Sequence, residues 1–316
     1  MPKVTVGGQA VLEGLMIRSP ETIAVAVRRT DGSIGLFKRS LTYRESCPVA
    51  ADIPFVRGIT AVFSALKIGY QALDYSFQIA KNDMTDAYKK LDTTHSNNFK
   101  PESLLNTIAV LTIVMVGTAI FIVLPYFILH LIHPEYNAAF FLPQVLESGI
   151  RMVMLAAYIF LLSCIPEVER VFQYHGAEHK VVHTHEKGLK LSVHNVRMCS
   201  KYHSRCGTMF LVFAALVTVI IFSLIPANMP LTHQVMIRIL LLPIITGLSF
   251  EVFRHIDRIP LWILQPILAP GRLFQLLTTR EPTDEQLETA IYAIRASLDP
   301  GVTLADYSGK DNPYAG

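Results

Sequence analysis

Charge is scarce in this chain. Only 17% of its 316 residues are Asp, Glu, Lys or Arg and 51% are hydrophobic, against roughly 25% charged in ordinary soluble domains. The shortage is uneven. Residues 103–134 and 206–237 carry no charge at all, and each stretch exceeds the roughly 20 residues that cross a hydrocarbon core. A wholly soluble domain is therefore excluded as the reading of the chain. Cysteine is also rare. Cys47, Cys164, Cys199 and Cys206 are scattered, which excludes a disulfide framework, and Cys199 and Cys206 lack the C-x-x-C spacing of a zinc ribbon. A net charge of +3 is no electrostatic footprint for nucleic acid, so no nucleic-acid partner is expected. Residues 1–14 lack the apolar length of a cleavable signal, so insertion is expected to be directed by internal spans.

The pattern that remains is that of a mainly α integral membrane protein. About four transmembrane helices are expected, at 104–132, 143–165, 207–226 and 233–253. Arg151 would snorkel from the second toward an interface. Pro243 and Gly247 make a kink or break natural in the fourth. Residues 1–100 form a small β-containing region followed by an amphipathic helix. Thr22 to Arg29 and Ser33 to Arg39 flank the turn signal Asp31-Gly32, as a hairpin does. Over 55–81, Ile59, Val62, Phe63, Leu66, Tyr70, Leu73 and Phe77 recur at helical spacing, with polar residues opposite. Such a face suits either a membrane surface or a partner helix. Residues 101–255 are the membrane domain, interrupted by a His-rich segment at 166–206. Residues 256–316 are a tail in which 260–277, broken by Pro266 and Pro270, skims the surface. Thr283 and Gln286 then make a capping-box signal for a closing helix over 284–298. Seven Lys and Arg residues in 166–206, with further basic residues at both termini, put these regions on the cytoplasmic side. The expected topology is multi-pass, N-in and C-in, with the lipid bilayer as the first partner and homo-oligomers left open.

The densest chemistry is His175-Gly176-Ala177-Glu178-His179-Lys180. On a helix His175 and His179 share a face, and two imidazoles so spaced can hold one divalent metal. Glu178 can ligate or take a proton from water. The order H-x-x-E-H is that of the inverted zincins; a solvated polar helix is the bland alternative. His183, His185, Glu186, His194, His203 and Cys206 crowd the same segment, which holds six of the eleven histidines. Glu251 sits near the end of the last expected span, where a carboxylate is costly unless paired or hydrated. It can complete a metal site or pair with Arg254, Arg258 or Lys180. His255 is one turn further on. Glu13, inside Gly7-Gly8-Gln9-Ala10-Val11-Leu12-Glu13-Gly14, faces a site or pairs with an arginine such as Arg18.

The chain resembles the YqhQ-like family of bacterial membrane proteins of unknown function. The resemblance lies in Gly7 to Gly14, Arg57-Gly58, Phe172 to Lys180, Arg205-Cys206-Gly207-Thr208, Gly247 to Glu251, and Leu277 to Pro282. The family label implies a metal and an enzyme, with no established reaction. Carried over by position, the resemblance supports His175, Glu178, His179, Glu186, His203, Cys206, Glu251 and Glu13. It implies a bacterial cytoplasmic membrane. The chain departs where the family usually has an aromatic residue (His185), an acid (His194) and a proline (Ser204), which weakens His185 and His194 as candidates.

Two functions follow as expectations. The first is a metal-dependent hydrolase at the cytoplasmic face, with a divalent metal, zinc first among them, on His175, His179 and His203 or Glu251, and Glu178 as general base. The second is a membrane scaffold or assembly factor whose polar cluster is structural. A transporter is disfavoured, because the first and third spans carry no ionisable residue beyond His130 and His133 at one end. The sequence names no substrate.

Overall fold

A computed structural model describes residues 6–41, 53–91, 141–226, 229–256 and 260–299, with parts of 116–132. Four strands come first: β1 (Gly7–Val11), β2 (Gly14–Arg18), β3 (Thr22–Arg28) and β4 (Ile34–Ser40). They form one antiparallel meander in chain order. The register runs Gly7↔Arg18, Gly14↔Val27 and Thr22↔Ser40. The hairpin expected at Asp31-Gly32 is there, with Gly32 in the left-handed region at φ 83°. Gly14 lies against the β3 backbone, where a Cβ would overlap the Ala26 carbonyl.

Eight helices can be labelled. They are α1 (Val56–Leu91), α2 (Phe141–Ser163), α3 (Pro166–Glu186), α4 (Val193–Arg197), α5 (Gly207–Phe222), α6 (Leu231–Arg254), α7 (Leu261–Thr278) and α8 (Asp284–Leu298). The second, third and fourth expected spans correspond to α2, α5 and α6. The first, 104–132, lies largely outside the described residues; within it, 123–129 are helical. Two of these helices, α2 and α6, are long and apolar enough to cross a membrane, and α5 is apolar but shorter. Both α6 and α7 run through their internal prolines as single helices, so of the kink or break expected at Pro243 a full break does not occur, nor does one at Pro266 or Pro270.

The sheet is covered on both faces, which explains why β3 reads as a nearly continuous apolar run. On one face Leu15, Ile17, Ala24 and Ala26 pack against Tyr174, Ala177 and Val181 of α3 and against Leu287, Ala290, Ile294 and their neighbours on α8. On the other face Met16, Ile23, Val25 and Val27 pack against Ile68 and Ala72 of α1. Small side chains on β3 and α8 let helix and sheet approach closely. The α8 N-terminus carries the expected capping box, with Gln286 N donating to Thr283 Oγ1 and Thr283 N donating to Gln286 Oε1. The N-terminal region, the 166–206 segment and the tail thus share one core.

An ionic seam runs inside the apolar helices. Glu147 of α2 accepts from Arg151 at 2.7 Å and also from Arg238 of α6. Arg238 is buried, its guanidinium 4.7 Å from the Tyr126 ring centroid and 4.8 Å from that of Phe222. Arg151 therefore does not reach outward: it donates to Glu147 and to the Phe121 carbonyl at 2.9 Å.

Candidate metal centre

Helix α3 follows α2 after only Cys164 and Ile165, and Pro166 at its first position is pre-set for helical φ. Its residues four and eight positions on from His175 are His179 and His183, one histidine per turn. Three other elements come against this face. The first is the loop 198–206. The second is the segment after α7, where Gly176 makes room for the Arg280 carbonyl and Arg280 N donates to Phe172 O at 2.9 Å. The third is β1, whose Gly8 lies on Glu178 so closely that a Cβ would collide with that side chain.

The hydrogen bonds orient both rings. A carbonyl only accepts, so His175 Nδ1–H donates to Thr278 O at 2.9 Å and His179 Nδ1–H donates to Lys201 O at 2.5 Å. In the neutral imidazole, Nε2 is then the lone-pair nitrogen, in the arrangement usual for metal-ligating histidines. His175 Nε2 meets Cys206 Sγ at 3.3 Å, close to a tetrahedral edge around a zinc-sized ion. His179 Nε2 is buried and, among the described residues, has no hydrogen-bond partner. The three donors His175, His179 and Cys206 lie within 4.8 Å of one another. They line a cavity of about 180 Å³ together with Glu178, His203 and the Gly7-Gly8 backbone. Glu178 Oε2 is 3.6 Å from His179 Nε2. Burial pushes the Glu178 carboxyl up to about 7, while His175 and the Gly8 amide pull the other way.

A second group, His183, Glu186 and His203, lies one turn along, its donors also within 4.8 Å. Its groups are largely spent on the neighbouring backbone and on each other. His183 Nε2–H donates to Tyr202 O at 2.8 Å, His203 Nε2 meets Glu186 Oε2 at 3.2 Å, and Arg205 N donates to His203 Nδ1 at 3.2 Å. Burial lowers the His203 pKa against the pull of Glu186. Gln275 of α7 clamps the His203 backbone from both sides, accepting from its N–H and donating to its carbonyl.

The remaining sequence candidates fall elsewhere. Glu251 forms a two-point ion pair with Arg57, and it belongs to neither donor group among the described residues. The motif segments Arg57-Gly58 and Gly247 to Glu251 are thus one contact, in which Gly58 and Gly247 let α1 and α6 approach. Neither Arg254 nor Lys180 is the principal partner of Glu251; Lys180 pairs with Glu281 at 2.5 Å. His255 Nδ1 donates to the Glu251 carbonyl within its own helix end. Glu13, at φ 51° in the β1–β2 turn, pairs with an arginine, Arg170, at 2.5 Å. His194 is exposed on α4. The sequence reading missed the carbonyls of Thr278 and Lys201 and the Gly8 amide as parts of the site. Only the Gly7-Gly8 pair hinted at a close backbone approach.

The two imidazole nitrogens and the thiol, with His179 Nε2 left without a hydrogen bond among the described residues, fit a divalent ion of the zinc type. The architecture is that of a mostly helical protein with a small antiparallel sheet, helices of membrane-spanning length and a buried histidine–cysteine group. The chain belongs to the family described as "Protein of unknown function (DUF1385)", whose model matches residues 53–300. It is 36% identical over 296 residues, covering 92% of both chains, to the uncharacterized protein YqhQ of Bacillus subtilis (strain 168). No solved structure matches it.

Proposed function

We propose that the chain is a multi-pass protein of the bacterial cytoplasmic membrane that acts as a metal-dependent hydrolase at the cytoplasmic face. The observation that carries the enzymatic reading is the buried His179 Nε2, which has no hydrogen-bond partner among the described residues and stands beside His175 Nε2 and Cys206 Sγ in one cavity. An unsatisfied polar atom at such a place costs about 1–3 kcal/mol, and a cation would satisfy it. His175, His179 and Cys206 would hold the ion, with the Thr278 and Lys201 carbonyls fixing both rings. A divalent metal there supplies Lewis acidity toward substrate or water oxygen. Glu178 projects into the same cavity and is positioned to accept and return a proton, with the Gly8 amide holding its carboxylate.

The topology reading is supported by a parity argument. The sheet, α3 and α8 share a core and so lie on one side of any membrane. If α2 crosses, a second crossing must lie between 42 and 140, where 103–134 is the long uncharged stretch. If α6 crosses, α5 is the natural return. Its 16 residues rise about 24 Å, and adjoining apolar residues extend it. Four spans result.

A scaffold reading is favoured by one observation: the histidines tie α3 to the 201–206 loop and to the end of α7 through backbone carbonyls. Two variants separate the readings. For a hydrolase, purified wild-type protein contains about one tightly held metal per chain. Glu178→Gln keeps that metal and the fold but abolishes the cellular activity. For a scaffold, Glu178→Gln retains that activity while His175→Ala destabilises the protein. Metal-free wild-type protein with full cellular activity overturns the enzymatic reading.

A further inference from the structure

Helix α1 has two apolar faces. Ile68, Ala72, Tyr75 and Ile79 pack on the sheet. Phe63, Leu66, Tyr70 and Phe77 stand 70%, 65%, 66% and 58% exposed, and Leu73 is exposed between them. At 100° per residue the two sets fall on roughly opposite sides of the helix. The polar residues Lys67, Gln71, Asp74 and Gln78 form a strip between them, and all four are exposed. An exposed run of five large apolar side chains is uncommon on a soluble surface and marks an interaction site.

We propose that this outer face of α1 lies in the bilayer interface, so that α1 is a platform with the sheet on its upper side and lipid beneath. The inference rests on the membrane reading above. Three observations favour lipid as the occupant. First, the start of α1 is fixed to the end of α6. Arg57 pairs with Glu251, and Gly58 sits against Gly247 and Phe250. The stripe therefore begins at the level where a helix of spanning length ends. Second, it continues an outward apolar surface. Phe55 and Val56 at the α1 start are exposed, as are Met236, Leu240 and Ile244 on α6 and Trp262 at the start of α7. Aromatic residues at such a level are typical interface anchors. Third, the stripe is bordered by Lys67 and Lys81, both exposed, whose ammonium groups suit anionic headgroups. The stripe extends over about 21 Å of helix. Its side chains reach ~5–10 Å into the boundary between headgroups and chains, as interfacial helices do.

The chain contains a single tryptophan, Trp262, which makes the test direct. In a Trp262→Phe background, one tryptophan is placed in turn by Phe63→Trp, Leu66→Trp, Phe77→Trp, Gln71→Trp, Gln78→Trp or Leu240→Trp. Full-length protein is reconstituted in phosphatidylcholine–phosphatidylglycerol vesicles, and each variant is first checked for unchanged circular dichroism and elution. Positions 63, 66 and 77 are expected to be quenched several-fold more by lipid brominated near the headgroup end than by acrylamide, with the reverse at 71 and 78. Acrylamide quenching at 63, 66 and 77 equal to that at 71 overturns the proposal. So does protection there from both quenchers, which would mean that a second copy or another protein covers the stripe. Position 240 separates the two readings. Bromolipid quenching at 240 with none at the stripe leaves the membrane reading intact and removes this one; absence of quenching at 240 removes both.

Discussion

Gly176 shows how one missing side chain shapes the candidate site. A Cβ there would overlap the Arg280 carbonyl, which is backbone and cannot swing away. Gly176→Ala is expected to destabilise the protein by ~1–3 kcal/mol and to push the Thr278 carbonyl off His175. Gly149→Ala on α2, where a Cβ meets nothing within 4 Å, should be neutral or mildly stabilising. Chemical denaturation of the two variants in detergent checks the contrast. Asp83 makes a second prediction at this scale. Burial raises its carboxyl, but hydrogen bonds from Arg29 and the Thr30 amide outweigh that and hold it below the ordinary carboxylate value. The folded protein then binds this proton less readily than the unfolded chain. The stabilisation is therefore present at neutral pH and lost as pH falls below about 4 through the lowered value. Asp83→Asn should be less stable than wild type at pH 7, and the two should converge in acid. Stability followed from pH 7 to pH 3 tests the sign. Individual site residues were partly legible. The spacing of His175, Glu178 and His179 was readable because helical periodicity brings i and i+4 together. The pairing of Cys206 with His175 is not legible, because it depends on the loop 198–206. Glu251 was legible as a carboxylate needing a partner, but Arg57 lies 194 positions away and no local pattern points to it.

Among the elements, those with local signals were read closely. The hairpin at Asp31-Gly32 and the capping box of α8 are encoded within a few residues. Helix α1 was read by its Phe63-to-Phe77 stripe, while the face that meets the sheet escaped. That face combines Ala72 with a half-polar Tyr75 and lies out of phase with the bulkier stripe, so periodicity points to the stripe alone. The seam between α2 and α6 was equally hidden. Arg151 reads as a charge that snorkels toward an interface until tertiary contact joins it with Glu147 and Arg238. That seam also weakens the argument against transport from the lack of an internal charged path, since one carboxylate and two guanidiniums meet inside the bundle. It carries a prediction of order. Removing Glu147 strands the buried Arg238, whose Nε and Nη2 have no acceptor among the described residues; removing Arg238 leaves Glu147 its bond to Arg151. Glu147→Gln should therefore cost more than Arg238→Met, on the scale of ~3–5 kcal/mol for a broken buried pair. Equal losses in thermal unfolding of the purified variants would contradict it.

At the scale of the whole molecule, the shared core constrains the membrane arrangement more tightly than any count of spans. Ser19 Oγ donates to the Ser297 carbonyl at 2.9 Å. Arg28 of β3 pairs with Glu288 of α8 at 2.9 Å, and Glu13 pairs with Arg170 of α3. A chain crossing the bilayer an odd number of times between β4 and α3, or between α3 and α8, could not make these bonds. A tag before Gly7, one in the exposed turn at Lys187-Gly188-Leu189 and one after residue 316 must then report the same compartment. Impermeant labelling of intact cells should leave all three unmodified, and permeabilised cells should have all three labelled. Labelling of the 187–189 tag alone in intact cells would break the parity, and with it the two pairs of crossings that four spans require. The same result would detach Glu178 from the Gly8 amide and His175 from the Thr278 carbonyl, because a site assembled from three regions of the chain exists only where all three share one side.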